Sequence, residues 1–206
     1  ELGCGVGAAM FALAVRQPDI SIIGLELQKD LVTLCQKNIA RNKMAPRLAC
    51  MQGDVANMLP TSQQAYDHVM MNPPFHDEKS HDKSPIPSKA VAHTENEGAD
   101  LPTWIQSAYS ALKVGGILTM IHRADREGEI TDHAARLFER VEIKPILARE
   151  GIDPKRIIVR AHKGEGTAVK ENAKVEMLQP FILYNEDKQY SRAALNILYE
   201  AMAMMF

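Results

Sequence analysis

The chain has 206 residues, 46% hydrophobic, 24% charged and 5% aromatic, with 24 Lys+Arg against 26 Asp+Glu and a formal net charge of -2. Such usage is that of a globular domain and excludes a disordered chain, a collagen-like repeat and a disulfide mini-protein. No global basic field exists to hold nucleic acid, so any RNA contact must come from a local patch.

The chain opens without Met at Glu1-Leu2-Gly3, on what reads as the end of a strand. A strand needs about 5–6 residues, so an N-terminal part of the natural protein is expected upstream. Small apolar residues from Ala8 to Val15 predict a helix packed close to a sheet, and Pro18-Asp19 breaks it. Ile20 to Leu25 reads as a buried strand ending at Glu26. Leu31, Leu34, Cys35 and Ile39 recur at helical spacing between Asp30 and Asn42. Short strands are predicted at Arg47 to Met51, closed by Gly53-Asp54, and at Tyr66 to Met71, closed by Asn72-Pro73-Pro74.

Residues 76–99 hold His76, Asp77, Glu78, Lys79, His81, Asp82, Lys83, Lys89 and His93 without periodicity, which predicts a substrate loop or lid. A helix resumes from Leu101 to Leu112 and is expected to end at Gly115-Gly116. Ile117 to Ile121 is a core strand and Glu127 to Phe138 a helix. Strands follow at Val141 to Leu147, Arg156 to Ala161 and Val175 to Tyr184. Tyr190 to Phe206 fits an amphipathic helix, placed within a C-terminal segment 185–206.

Strand–helix alternation at these lengths predicts an α/β fold: one domain over residues 1–206, a mostly parallel twisted sheet with helices on both faces, and ligands beyond the carboxyl ends of the strands. No apolar run reaches the ~18 residues of a membrane span, and no signal peptide is seen. The three cysteines, Cys4, Cys35 and Cys50, match no metal knuckle or CxxC pair and read as reduced, buried filler in a cytoplasmic protein.

The most informative stretch is Glu1-Leu2-Gly3-Cys4-Gly5-Val6-Gly7. Glycines at alternate positions permit positive φ and a close approach of backbone to ligand, and the helix that follows aims its N–H groups at that ligand. The spacing is Gly-x-Gly-x-Gly and not that of a dinucleotide site. Glu26 ends a strand about 20 residues later, where an acid accepts from a ribose diol. Asp54 lies just past the next strand, where it can accept from an adenine amino group. Alone, Glu26 would read as a solvated strand end and Asp54 as an Asx-turn. Together with the turn they predict a nucleoside cofactor. This pattern resembles the class I S-adenosylmethionine-dependent methyltransferases over roughly Glu1 to Ile121. The resemblance implies a Rossmann-like fold and S-adenosylmethionine as cofactor. It implies that the turn cradles the methionine moiety, Glu26 holds the ribose and Asp54 reads the adenine. The cofactor set is thus Glu1, Gly3, Gly5, Gly7, Glu26, Leu27, Asp54, Val55 and Asn72.

Asn72-Pro73-Pro74-Phe75 closes the fourth strand beside that site. The prolines fix φ and lack N–H groups, so the turn is stiff. The Asn72 side-chain oxygen and the Pro73 carbonyl become fixed acceptors, and Phe75 offers a stacking face. Two acceptors can bind both hydrogens of a planar exocyclic amine, aim its lone pair at a sulfonium methyl and favour the charge that develops. An aromatic ring would hold an extruded base. The catalytic set is Asn72, Pro73, Pro74 and Phe75. The tetrapeptide is the amino-methyltransferase signature, shared by adenine-N6, guanine-N2 and protein-glutamine enzymes.

Further segments narrow the resemblance: His76-Asp77, Ala90 to His93, Leu101, Trp104, Ile121-His122-Arg123 and Lys188-Gln189-Tyr190-Ser191 with Ala193 and Ala194. Together they resemble the bacterial tRNA1(Val) adenine-37 N6-methyltransferase family, which implies a tRNA adenine as substrate and an N-terminal segment ahead of the glycine turn. The alternatives are rRNA guanine N2, a protein glutamine, or a non-catalytic RNA-binding protein with a retained cofactor pocket. Candidate RNA contacts are Lys79, Lys83, Lys89, Arg149, Lys155, Arg156, Arg160 and Lys163. The chain is expected to be a monomer, without membrane contact. No metal is expected, because the spacings of His76, His81 and His93 fit no recognised site. Met202, Met204 and Met205 read as core filler or a partner face.

Overall fold

Hydrophobic spacing places a helix or strand at almost every predicted position, and a computed structural model shows how they assemble. It describes residues 1–57, 65–74, 99–165, 173–200 and 202–206. Helices α1 (Ala8–Arg16) and α2 (Lys29–Arg41) alternate with β1 (Ile22–Glu26) and β2 (Leu48–Gln52). β3 (Tyr66–Met71), α3 (Leu101–Ala111), β4 (Leu112–Arg123) and α4 (Glu127–Leu137) follow. β5 (Arg140–Leu147), β6 (Arg156–His162), β7 (Lys174–Met177), β8 (Phe181–Ile182) and α5 (Arg192–Tyr199) complete the chain.

β1 pairs with β2, and β3 with β4, all parallel. Leu2 bridges Leu25 on one side and Met71 on the other, so the opening residues stand in the sheet as the central strand. The strand order therefore reverses at the glycine turn, the place where open α/β sheets bind ligands. β6 runs antiparallel between β4 and β5, while β7 and β8 lie parallel to β5.

Successive side chains of a strand point to opposite faces, and β3 shows both. Met71 joins the core under α3 and α4, with Trp104, Ile105, Leu118, Ile130 and Phe138. Met70 packs on the other, with Met10, Val32, Cys35 and Ile39 beneath α1 and α2. Each face is an apolar layer, as a doubly covered sheet requires.

Three expectations are corrected. α3 ends at Ala111, before Gly115-Gly116, and β4 begins at Leu112. The carbonyls of Tyr109 and Leu112 accept from Lys163 Nζ at 2.8 and 2.7 Å, a lysine capping the helix from another strand's end. Residues 113–116 then form a bulge, since Tyr66 pairs with Leu112 and His68 with Ile117. Next, the stretch from Val175 to Tyr184 is two short strands, interrupted around Pro180, which has no N–H for a ladder. Last, the C-terminal helix covers only Arg192–Tyr199 and not 185–206. Ser191 caps it by accepting from Ala194 N at 3.1 Å. Ala194 is its one fully buried side chain, so little packing rewards a longer helix. The tail leaves helical form and lays Phe206 against Arg160, 4.3 Å from ring centre to guanidinium carbon.

Candidate active site

Parallel register decides which turns meet. Leu2 bridges Leu25 and Met71, so the next residues, Gly3, Glu26 and Asn72, leave the sheet side by side at one edge. Glu26 also pairs with Gln52, which sets Asp54 two residues further along that edge. The glycine turn, both acids and the Asn-Pro-Pro turn thus converge without any long loop.

The turn is held by Leu25 O, which accepts from Gly3 N at 2.8 Å and Cys4 N at 3.0 Å. Glu26 is buried and holds the next peptide: its Oε2 accepts from Gly5 N, and its Oε1 from Gln28 N, both at 2.9 Å. Each oxygen keeps a lone pair for a hydroxyl donor. Gly5 has φ +55°, and a Cβ there would meet nothing within 4 Å, so its backbone faces open space. Gly3 is glycine for another reason. A Cβ there would meet the Trp104 ring at 2.8 Å, so the turn rests directly on the indole. Glu1 Oε2 is buried with no hydrogen-bond partner among the described residues. Burial pushes the Glu1 carboxyl above its ordinary value. An orphaned acceptor, an open glycine backbone and a buried acid with free lone pairs together fit a nucleoside ligand with an ammonium group.

Asp54 is an Asx-turn: Oδ1 accepts from Ala56 N at 2.9 Å and Oδ2 from Asn57 Nδ2 at 3.2 Å. That is the alternative left open by the sequence, and it leaves one further lone pair per oxygen. Val55 puts its side chain into the core, with its carbonyl bonded by Ser107 Oγ at 2.8 Å, leaving only backbone for a ligand. Leu27 is 52% exposed at the same edge.

In the Asn-Pro-Pro turn, Asn72 is exposed, Pro73 buried and Pro74 half-buried. Phe75 lies outside the described residues, as does nearly all of the 76–99 loop with Lys79, Lys83 and Lys89. Sequence reasoning gave no role to His122. It is fully buried on β4, with its ring beside the backbone of Pro74. Burial holds it below the ordinary imidazole value, so the ring is neutral. A buried histidine within two residues of a strand end was the signal available.

Two proposed RNA contacts are engaged inside the fold. Lys163 is 6% exposed and lies 4.2 Å over the Tyr109 ring while capping α3. Arg160 donates from Nε to Glu142 Oε2 at 2.6 Å. Arg149 and Lys155 are exposed. No helix of the described residues is long and apolar enough to cross a membrane.

Residues 1–145 match the methyltransferase small domain family. Among curated relatives, the release factor glutamine methyltransferase of Escherichia coli is 32% identical over 127 residues, 59% of this chain and 45% of that protein. The tRNA1(Val) (adenine(37)-N6)-methyltransferase of Haemophilus influenzae is 21% identical over 96% of this chain and 79% of that one. The ribosomal RNA small subunit methyltransferase C of Shewanella loihica is 25% identical over 69% of this chain and 35% of its own. The chain thus spans less than half of the first and third. A solved structure from Agrobacterium tumefaciens, described as a predicted O-methyltransferase, superposes with TM-score 0.74 at 21% identity, covering 95% of this chain and 85% of that one. The [4+2]-cyclase SpnF superposes at 0.57 with 15% identity, covering 80% and 73%. The fold therefore does not by itself name a reaction. Family and fold are those of S-adenosylmethionine-dependent methyltransferases.

Proposed function

The chain belongs to the methyltransferase small domain family, and on that premise we propose that it methylates the exocyclic N6 amine of an adenine in tRNA. The observation that carries the chemistry is the register that sets Asn72-Pro73-Pro74 beside the glycine turn. S-adenosylmethionine, when bound, supplies an electrophilic methyl on a sulfonium. The cradle would be Gly3, Gly5 and Gly7, with Glu1 toward the ammonium, Glu26 toward the ribose and Asp54 toward the adenine.

An exocyclic amine is a poor nucleophile because its lone pair is delocalised into the ring. Asn72 Oδ1 and the Pro73 carbonyl accept its two N–H bonds, which turns the lone pair out of the ring and toward the methyl. Both dipoles are fixed before reaction, so they favour the growing positive charge on nitrogen without reorganising. His122 packs behind the turn beside Pro74. The methylated ammonium is acidic and gives its proton to water, so no strong base is needed. Phe75 would stack on the extruded base.

The likeness to the adenine-37 enzyme runs through almost the whole chain, which favours tRNA adenine. Likeness to glutamine and ribosomal RNA enzymes supports a second reading, another planar amine in protein or rRNA. Incubating the full-length protein with labelled cofactor and, in parallel, total tRNA, ribosomal RNA or release factor, then analysing nucleosides by mass spectrometry and protein for label, separates them. N6-methyladenosine is expected; N2-methylguanosine in rRNA or labelled protein would replace the adenine reading.

A further inference from the structure

All three cysteines of the chain come from different elements and meet at one point. Cys4 belongs to the glycine turn, Cys35 to α2 and Cys50 to β2. Their Sγ atoms lie within 4.8 Å of one another, with Cys4 and Cys50 3.5 Å apart. All are buried and reduced. A fourth sulfur is beside them: a Cβ on Gly24 would meet Met10 Sδ at 2.5 Å and Cys4 Sγ at 2.6 Å. The packing around the cluster is apolar, from Ile22, Val32, Ile39 and Leu48.

We propose that Cys4, Cys35 and Cys50, with the Met10 thioether beside them, bind copper(I) beneath the glycine turn. Cysteine's value as a small apolar filler explains burial of each thiol. It does not explain why a turn, a helix and a strand direct three of them at one point. Reactive cysteines need an electropositive, partly exposed setting, whereas these three are buried among apolar side chains, so oxidation chemistry is disfavoured there. A zinc site wants four N or S ligands from Cys and His, but a cluster of thiols and a thioether is the soft set that selects copper(I). Each thiol that coordinates loses its proton to water as its sulfur bonds the metal, the thioether of Met10 is a neutral donor, and no electron moves. Binding would tie the cofactor turn to α2 and β2.

The test uses the reduced full-length chain, kept anaerobic and titrated with copper(I) held by bicinchoninate. One copper per chain should be withdrawn from the chelator, and X-ray absorption should show a sulfur-only shell. Cys35→Ala and Cys50→Ala should each lose that uptake, with circular dichroism reporting whether each folds. Should either variant unfold, the wild-type absorption spectrum still decides. No withdrawal of copper, a shell containing nitrogen or oxygen, displacement of copper by zinc, or a Cys4–Cys50 disulfide without bound metal would each overturn the site.

Discussion

The sheet has two halves that handle charge in opposite ways. In the parallel half, Ile22 to Leu25 of β1 and Val69 to Met71 of β3 are apolar, and the polar groups Glu26, Asp54 and Asn72 wait at or just past the carboxyl ends of the strands. In the antiparallel half, charge sits in mid-strand. Val141, Ile143, Ile157, Val159 and Ala161 face the core, while their neighbours Glu142, Lys144, Arg160 and His162 share the other face. Glu142 is 1% exposed and accepts from Arg140 at 2.6 Å, Arg160 at 2.6 Å and His162 at 3.0 Å. The first half leaves acceptor capacity at an edge for a ligand; the second spends its charge internally. Arg160 and His162 of β6 are thus structural, and a surface count of lysine and arginine overstates what RNA could touch.

The sharpest break of this comparison is at the edge. Asn72→Ala should change cofactor affinity far less than turnover, which should fall by roughly 10²–10³, about 2.7–4 kcal/mol, the scale of losing one preorganised dipole. Unchanged turnover in a steady-state assay would remove Asn72 from the reaction. In the other half, Glu142→Gln should leave turnover per folded molecule intact and cost about 2 kcal/mol in denaturant melts. Fully buried pairs lose 3–5 kcal/mol, and here the arginines are still partly in water.

The same carboxylate sets an acid limit. Hydrogen bonding from Arg160 holds Glu142 down to about 2 from 4.5. A depressed folded value means its contribution is full above about pH 4.5 and fades as the pH falls toward 2. Melts of wild type should weaken over that window, and those of Glu142→Gln should weaken less. Asp54→Ala should reduce cofactor affinity about tenfold by calorimetry, with about 1 kcal/mol of stability lost from its turn; wild-type affinity would cancel its adenine role. Smallest is the surface: Arg149→Ala and Lys155→Ala should each lower the salt slope of tRNA binding by about one. A larger fall for Arg160→Ala, at equal stability, would contradict the division drawn between the halves.

Much of the cofactor half was legible because its signals are local. Alternate glycines, an acid at a strand end and Asn before Pro-Pro each carry a backbone consequence within a few residues. The ends of elements were less so. α3 stops where a lysine 52 positions later in the chain, Lys163, caps its carbonyls. The final helix stops after two turns because only Ala194 finds a core. Neither partner can be read from the helices themselves.

By itself the sequence determined the α/β alternation, the glycine turn and the stiff Asn-Pro-Pro corner, since periodicity and restricted φ are properties of short segments. Only the tertiary structure decided which basic residues are spent on Glu142, that Trp104 underlies Gly3, that His122 backs Pro74, and that three cysteines distant in sequence share one pocket. Those facts depend on register and on which faces meet, and contacts between segments far apart in the chain leave no mark on either segment alone.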